Sequence, residues 1–333
     1  MSAKALGVGL VGCGTVGSGV VKLLIEQADL YADRVGRPVT LRKVLCRPTT
    51  SAERTALVAD DIRVHDADAF FADEQIDVVI ELVGGTDFAL DIVRRALQAG
   101  KHVVTANKAL LAAHGNDLFA LARKNHVAIA FEGSCGGGIP IITAMQFNLI
   151  GNEITAMYGI LNGTCNYILT QMLEAGKSYD TALAEAQQAG FAEADPTLDV
   201  NGGDTAHKLA ILASMAFGVS VTDDQIAREG IDTLDLADIN FGAELGYQIK
   251  LLATAERTDA GVALGVAPCF IDRHEQLAQV SGSFNAMSIY GHAVGHTMFY
   301  GRGAGQMPTA SAVVGDLLSI ADGAYPAAFE IGR

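Results

Sequence analysis

The richest run of ionisable side chains in the chain extends from Glu193 to Lys208 and reads EADPTLDVNGGDTAHK. Pro196 restricts the residue before it and contributes no N–H, so it interrupts whatever precedes it. Asn201-Gly202-Gly203 then forms a turn, and the apolar spacing of Ala206, Leu209, Ala210, Leu212 and Ala213 predicts a helix over 205–217. Asp204 falls at the N-terminus of that helix, where a carboxylate caps free N–H groups. Lys208 follows one turn later on the same side. On a solvent-facing helix this pair would contribute only about 0.2–0.5 kcal/mol. Here Lys208 runs straight into LAILASMAF, which reads as a largely buried element carrying its charges at one end. Glu193, Asp199 and Asp204 precede the lysine with no other cation between them. A buried charge needs a partner or a task. An amine among carboxylates is equipped to pass a proton and to hold a cationic ligand.

A second group of chemically suggestive residues lies at the start of the chain. Ala5–Val11 reads as a buried strand, Gly12-Cys13-Gly14-Thr15-Val16-Gly17 follows directly, and Val20–Gln27 continues as a helix. This is G-x-G-x-x-G in strand–turn–helix context. Gly12 permits the tight turn, Gly14 lets a pyrophosphate approach the backbone, and Gly17 lets helix and strand pack closely. The strand 39–46 ends at Arg47-Pro48, where NAD-binding chains place an acidic residue for the ribose. An arginine there can pair with a 2′-phosphate, which favours NADP over NAD. A later strand, 101–105, delivers Ala106-Asn107-Lys108 to its carboxyl end, the side on which open α/β sheets bind ligands. Lys108 is therefore a site candidate by position. His292 and His296 are four apart but sit among glycines between strands, a poor setting for a metal pair.

These motifs need a scaffold, and the chain has the material for one. At 333 residues, half of them hydrophobic and 18% charged, it is long enough for two folded domains. A net charge of −15 argues against nucleic acid and against anionic membrane surfaces. No apolar run approaches the ~20 residues of a membrane span, and the short polar start is unlike a signal peptide. The five cysteines show no C-x-x-C spacing, a reduced, cytoplasmic pattern. Strands and helices alternate through Phe131, which predicts an α/β, doubly wound (Rossmann-type) parallel sheet. Glu132–Pro140, EGSCGGGIP, reads as a hinge whose exposed carbonyls could coordinate a hard cation. Beyond it, strand-like runs at 153–161, 262–267, 286–290 and 297–300 among helices predict an α+β domain built on an antiparallel sheet. Gly301–Gly305 and the helix over 309–320 read as a return to the first domain. The expected domains are thus 1–133 with 301–333, and 134–300.

With these residues laid out, the chain resembles the homoserine dehydrogenase family along nearly its whole length. The carriers are GCGTVG at 12–17, TANK at 105–108, EGSCGGGIP at 132–140, GILNGT at 159–164, GFAEADPTLDVNGGDTAHKL at 190–209 and GRGAGQMPTASAVVGDLL at 301–318. The 190–209 block is the most specific of them. The resemblance implies reversible hydride transfer between homoserine and aspartate 4-semialdehyde with NAD(P). It makes Lys208 the proton donor and acceptor at the substrate oxygen, with Lys108 opposite. Glu193, Asp199 and Asp204 would hold the substrate ammonium or orient the lysines, and Gly163 and Thr164 would touch the substrate. Gly12, Gly14, Thr15, Val16, Gly17, Arg47, Thr86, Lys108 and Gly303 become the cofactor candidates. Backbone carbonyls of Glu132, Cys135, Gly137 and Ile139 would form a site for a monovalent cation such as Na+. A homodimer or homotetramer acting on a small molecule is implied as well.

The chemistry fits those roles without the name. Oxidising a primary alcohol removes an O–H proton as hydride leaves carbon. A free lysine, with a pKa of about 10.4, becomes a useful base when burial or a second cation lowers that value. Two features depart from the family pattern. Arg47-Pro48 stands where relatives often carry an acid, and many relatives continue into a C-terminal regulatory domain beyond the end of this sequence. Two competing readings are another amino-acid dehydrogenase, such as one reducing an imine, and a non-catalytic nucleotide sensor. The first would not need Lys108, and the second would tolerate loss of Lys208.

Overall fold

The computed structural model describes residues 4–325. They divide into two compact units, one formed by the residues up to Gly138 together with those from Gly305, the other by Ile139–Ala304. The divisions fall after Gly138 and Ala304, a few residues beyond the expected ones. Residues 1–3 and 326–333 of the expected first domain lie outside the described residues.

The first unit alternates strands with helices, two helices standing between its first and second strands. Its elements are β1 (Leu6–Val11), α1 (Thr15–Glu26), α2 (Ala28–Val35), β2 (Val39–Leu45), α3 (Ala52–Thr55), β3 (Arg63–Val64), α4 (Ala67–Phe71), β4 (Val78–Glu81), α5 (Asp87–Gln98), β5 (His102–Thr105), α6 (Lys108–Lys124) and β6 (Ile129–Ala130). The sheet order is β3-β2-β1-β4-β5-β6 and every pairing is parallel. β1 and β4 are buried at every residue, the pattern of strands covered by helices on both faces. Val8, Leu10, Val78, Ile80 and Val104 meet Val20, Val21 and Leu24 of α1 in one core. Each such buried aliphatic side chain contributes roughly 1.5–3 kcal/mol. Strand order reverses between β1 and β4, so a crevice opens at their carboxyl ends.

The second unit contains α7 (Ile141–Thr143), β7 (Ile154–Ile160), α8 (Gly163–Ala175), α9 (Tyr179–Gln188), α10 (Thr197–Val200), α11 (Gly203–Phe217), β8 (Ala227–Arg228), α12 (Leu236–Glu244), β9 (Tyr247–Thr258), β10 (Gly261–Asp272), β11 (Phe284–Gly291) and β12 (Gly295–Arg302). Its sheet runs β12-β11-β7-β9-β10-β8, antiparallel except that the short β8 lies parallel to β10. The sequence reading had no strand at β9. YQIKLLATAERT is rich in Leu, Ala, Lys and Glu, which favour helix in isolation. Pairing with β10 over its whole length, from Tyr247 opposite Asp272 to Thr258 opposite Gly261, overrides that preference. α12 was likewise unforeseen, although Asp235 and Asp238 form a capping box at its start.

The last helix, α13 (Gln306–Ala321), belongs to the first unit and packs on α1, where Gly19 lets Ala310 approach closely. It begins at Gln306 rather than at Thr309, because Pro308 fits the first turn, where an N–H is not needed. Among the described residues no helix is long and apolar enough to cross a membrane.

Candidate active site

In the first unit, three strand ends converge on Gly12. Its N–H donates to the Leu45 carbonyl at 2.8 Å, and a Cβ there would lie 2.7 Å from the Leu82 oxygen. Its φ of +100° is open to glycine at little cost. A Cβ on Gly17 would sit 2.0 Å from the Gly12 oxygen, whereas one on Gly14 would meet nothing within 4 Å. Gly12 and Gly17 therefore shape the turn, and Gly14 leaves space beside the first turn of α1. That turn, entered through Thr15 and Val16, has no side-chain cap and no acidic residue, so its N–H groups are offered to an anion. Arg54 of α3 donates to Thr15 Oγ1 at 3.2 Å, and the Cys13 thiol donates to the Arg54 carbonyl at 3.1 Å. Burial pushes that thiol up to about 11, with Cys46 adding to the rise and Arg54 opposing it. Arg47 is exposed just beyond β2. An uncapped helix start with arginine beside it fits the phosphates of a dinucleotide. Arg54 escaped the sequence reading because only the fold brings α3 to the glycine turn.

The neighbouring strand ends are tied by a buried acid. Glu81, the last residue of β4, is fully buried and accepts from the Val83 N–H at 2.8 Å and the Thr105 hydroxyl at 2.7 Å. Burial raises its carboxyl, and these hydrogen bonds pull it partly back. The Asn107 N–H donates to Thr105 Oγ1 at 3.0 Å, and its carboxamide joins the Gly85 carbonyl at 2.7 Å to the Leu110 N–H at 3.1 Å. This lattice holds the Gly84-Gly85-Thr86 segment against the start of α6, whose first residue is Lys108. Thr86 itself is the N-cap residue of α5.

The glycine-rich segment begins in the first unit with a tight turn over Glu132–Ser134. The Glu132 N–H donates to Asp316 of α13 at 2.8 Å. Asp316 is buried, and both burial and the nearby Glu132 push its carboxyl well above the usual range. Cys135 is also buried, and Gly136 and Gly137 take φ of +84° and +54°. The Ile139 carbonyl, in the second unit, accepts from the Ile141 N–H at 2.8 Å. Among the described residues no group of three or more His, Cys, Asp or Glu could hold a metal ion. His292 Nδ1 accepts from the Glu153 N–H, and His296 Nε2 pairs with the Ser288 hydroxyl.

The second unit assembles the acidic stretch around Lys208. Its ammonium donates to Asp204 Oδ2 at 2.7 Å and to the Leu161 carbonyl at 2.7 Å. The side chains are only 11% and 8% exposed, which removes the surface-pair reading. Asn162, after β7, spans two carboxylates, donating to Asp199 Oδ1 at 2.7 Å and Asp204 Oδ2 at 2.9 Å. Its own oxygen caps α8 through the Cys165 N–H. Thr164 donates to the Phe191 carbonyl at 2.6 Å, anchoring the start of the acidic stretch. A Cβ on Gly163 would lie 2.6 Å from the Ser283 oxygen, and one on Gly303 would lie 2.0 Å from Asn285 Nδ2. Asn285 donates to the Leu161 carbonyl at 2.8 Å, so the same oxygen serves Asn285 and Lys208. Asp199, Asp204, Lys208, Gly163 and Thr164 are thus brought together. Glu193 is not: it is exposed, and its carboxylate has no hydrogen bond or ion pair among the described residues. Asn162 and Asn285 were missed, although Asn162 stands inside the quoted GILNGT motif.

A parallel sheet carrying a glycine turn, and in the other unit a buried lysine among carboxylates, are the parts required by the class of NAD(P)-dependent oxidoreductases acting on a CH–OH group. Family models sharpen this. Residues 12–132 match "Homoserine dehydrogenase, NAD binding domain" and residues 140–318 match "Homoserine dehydrogenase". A homoserine dehydrogenase of Pseudomonas aeruginosa is 46% identical over 320 residues, covering 95% of this chain and 72% of the relative. The crystal structure of a homoserine dehydrogenase from Thiobacillus denitrificans superposes with a TM-score of 0.92 at 43% identity, over 96% of this chain and 74% of that one. A hyperthermophilic archaeal homoserine dehydrogenase in complex with NADPH gives 0.79 at 25% identity, over 95% and 97%. The chain belongs to the homoserine dehydrogenase family. Its reaction is reversible hydride transfer between L-homoserine and L-aspartate 4-semialdehyde with NAD(P).

Proposed function

We propose that Lys208 is the group that exchanges a proton with the substrate oxygen. The observation that carries this reading is the way its amine is held. An ammonium has three N–H groups, and two are fixed by Asp204 and the Leu161 carbonyl. The third position is left for the alcohol oxygen, with its direction set by the other two. When bound, the nicotinamide supplies the hydride acceptor. For alcohol oxidation Lys208 acts as the neutral amine with its lone pair at that third position: it takes the hydroxyl proton as hydride leaves carbon, becoming the ammonium, and the ammonium returns the proton in the reverse direction. Asp204 orients the lysine, while Asp199 and Glu193 serve the substrate ammonium and Gly163 and Thr164 line its seat. Lys108 takes the companion catalytic role that the resemblance assigns to it.

NADP is the preferred dinucleotide in this reading, with NAD as the alternative. Gly12, Gly14, Thr15, Val16, Gly17, Thr86, Lys108 and Gly303 contact it, and Arg47 faces the 2′-phosphate. The arginine at the end of β2 and the approach of Arg54 to Thr15 support the preference, as does the relative in complex with NADPH. The carbonyls of Glu132, Cys135, Gly137 and Ile139 offer hard oxygen donors suited to Na+ or a similar monovalent ion. The enzyme works in the cytoplasm, in biosynthesis of threonine, methionine and isoleucine, in keeping with five free cysteine thiols. It self-associates as a homodimer or homotetramer. In support, the second unit leaves large apolar side chains open, Phe270 at 54% and Tyr300 at 56%. Steady-state oxidation of L-homoserine with NADP and NAD, with and without sodium, tests the set. Faster turnover per KM with NADP and a sodium response are expected; equal use of both dinucleotides and indifference to sodium would reject these two assignments.

A further inference from the structure

Asn285, at the second position of β11, is 1% exposed. Its amide nitrogen donates to the Leu161 carbonyl. A carbonyl oxygen can only accept, so the carboxamide orientation is fixed by this contact. Its Oδ1, buried as well, has no hydrogen-bond partner among the described residues. A buried acceptor left without a donor is costly. Hypothetical Cβ atoms on Gly163 and Gly303 would lie 3.4 Å and 2.6 Å from this oxygen, so both glycines adjoin it. Gly163 has already been assigned to the substrate.

The side chain is also firmly held from behind. Lys250 of β9 donates to the Val280 carbonyl at 2.6 Å and to Asn166 Oδ1 at 3.1 Å. The Asn166 amide reaches the Val280 and Phe284 carbonyls, both at 3.0 Å, and Thr170 accepts from the Gly282 N–H at 3.0 Å. Asn285 therefore starts from a strand end pinned at Val280, Gly282 and Phe284. It does not swing away to find a donor elsewhere.

The groups gathered beside Lys208 are mostly acceptors: the Leu161 carbonyl, the carboxylates of Asp199 and Asp204, and Asn285 Oδ1. Asp204 Oδ2 is engaged by both Lys208 and Asn162. A surplus of acceptors around one lysine suits a second ammonium. We infer that Asn285 is a substrate-binding residue: its Oδ1 accepts a hydrogen bond from the α-ammonium of the bound amino acid, while its Nδ2 steadies the carbonyl that also holds Lys208. This rests on the reading of the Lys208 cluster as the substrate site.

The test is steady-state kinetics of the full chain carrying Asn285→Ala, Asn285→Asp and, separately, Lys208→Arg, with NADPH affinity and urea midpoint measured for each. Both L-homoserine and L-aspartate 4-semialdehyde carry the ammonium, so Asn285→Ala should raise KM for both by at least about tenfold, the scale of a hydrogen bond to a charged group. Asn285→Asp keeps an acceptor and adds a charge, so its KM should not exceed that of the native enzyme, while kcat falls because Leu161 loses a donor. NADPH affinity should be unchanged in both. An unchanged KM in Asn285→Ala, a rise for only one substrate, or an equal rise in Asn285→Asp would each overturn the inference. Should Asn285→Ala fail to fold, the KM of Asn285→Asp decides alone, and a rise of tenfold or more sinks it. Retained turnover in Lys208→Arg would instead refute the underlying site reading, so the two failures are distinguishable.

Discussion

Replacing Lys208 separates its proposed proton transfer from its structural part. In Lys208→Arg the charge and the partners survive, since a guanidinium can donate to both Asp204 and Leu161. It stays protonated through any usable pH range and so cannot accept the alcohol proton. General acid–base catalysis contributes roughly 10²–10⁴-fold, and kcat for L-homoserine oxidation should fall by at least ~100-fold. Lys208→Ala removes the donor as well. Breaking a buried ion pair costs about 3–5 kcal/mol when the remaining charge has no other support. Asp204 retains Asn162 as a donor at 2.9 Å, which brings the expected loss down to about 1–3 kcal/mol, the cost of a buried acceptor losing one partner. The alanine variant should therefore lose turnover and unfold at lower urea, while the arginine variant loses turnover alone. NADPH affinity should hold in both, since Lys208 is not among the residues proposed to contact the dinucleotide. Turnover above about a tenth of native in either variant would remove Lys208 from the proton path.

Three further outcomes follow from the geometry. Gly14→Ala adds a methyl where nothing lies within 4 Å, so the urea midpoint should not move while NADPH affinity drops at least about tenfold, as expected where a backbone must approach a pyrophosphate; unchanged affinity would remove the phosphate from this turn. Arg47→Gln and Arg54→Gln should each lower kcat/KM with NADP by about tenfold or more, the scale of a charge-assisted hydrogen bond, and leave NAD values within twofold or so; equal losses with both cofactors would contradict a 2′-phosphate contact. Lys250 is lowered from 10.5 to about 8, chiefly by burial and against the pull of Glu174. Between those values the unfolded chain holds a proton that the folded chain has released, so this group makes the folded state more stable as pH rises from about 8 to 10.5. Native protein should gain up to about 3 kcal/mol over Lys250→Met across that window, read from urea midpoints at several pH values, and a constant gap would show that the buried amine does not titrate there.

The parts of this molecule legible from its sequence are those written in local chemistry. The glycine turn at 12–17 announced the first strand and helix, because only glycine tolerates the backbone of Gly12 and the close packing at Gly17. The pairing of Asp204 with Lys208 was visible as an i,i+4 spacing in front of an apolar helix, yet its burial was an inference from LAILASMAF alone. β9 was hidden because its residues favour helix locally, and only pairing along β10 makes it a strand. Asn285 and Arg54 were hidden for a related reason. Neither stands in a motif of its own, and each becomes significant through a contact more than 35 residues away in sequence, at Leu161 and Thr15. Glu193 differs from its neighbours: it stands inside the most specific motif, yet it is exposed and outside the hydrogen-bonded cluster, so a role for it rests on contact with the substrate.

The most direct measurement is the reduction of NADP by L-homoserine, followed side by side for the native chain and Lys208→Arg at saturating substrate. Homoserine-dependent reduction that nearly vanishes in the variant, with NADPH still bound, is the predicted result. Reduction at comparable rates by both proteins, or none by the native chain with either dinucleotide, would contradict the account.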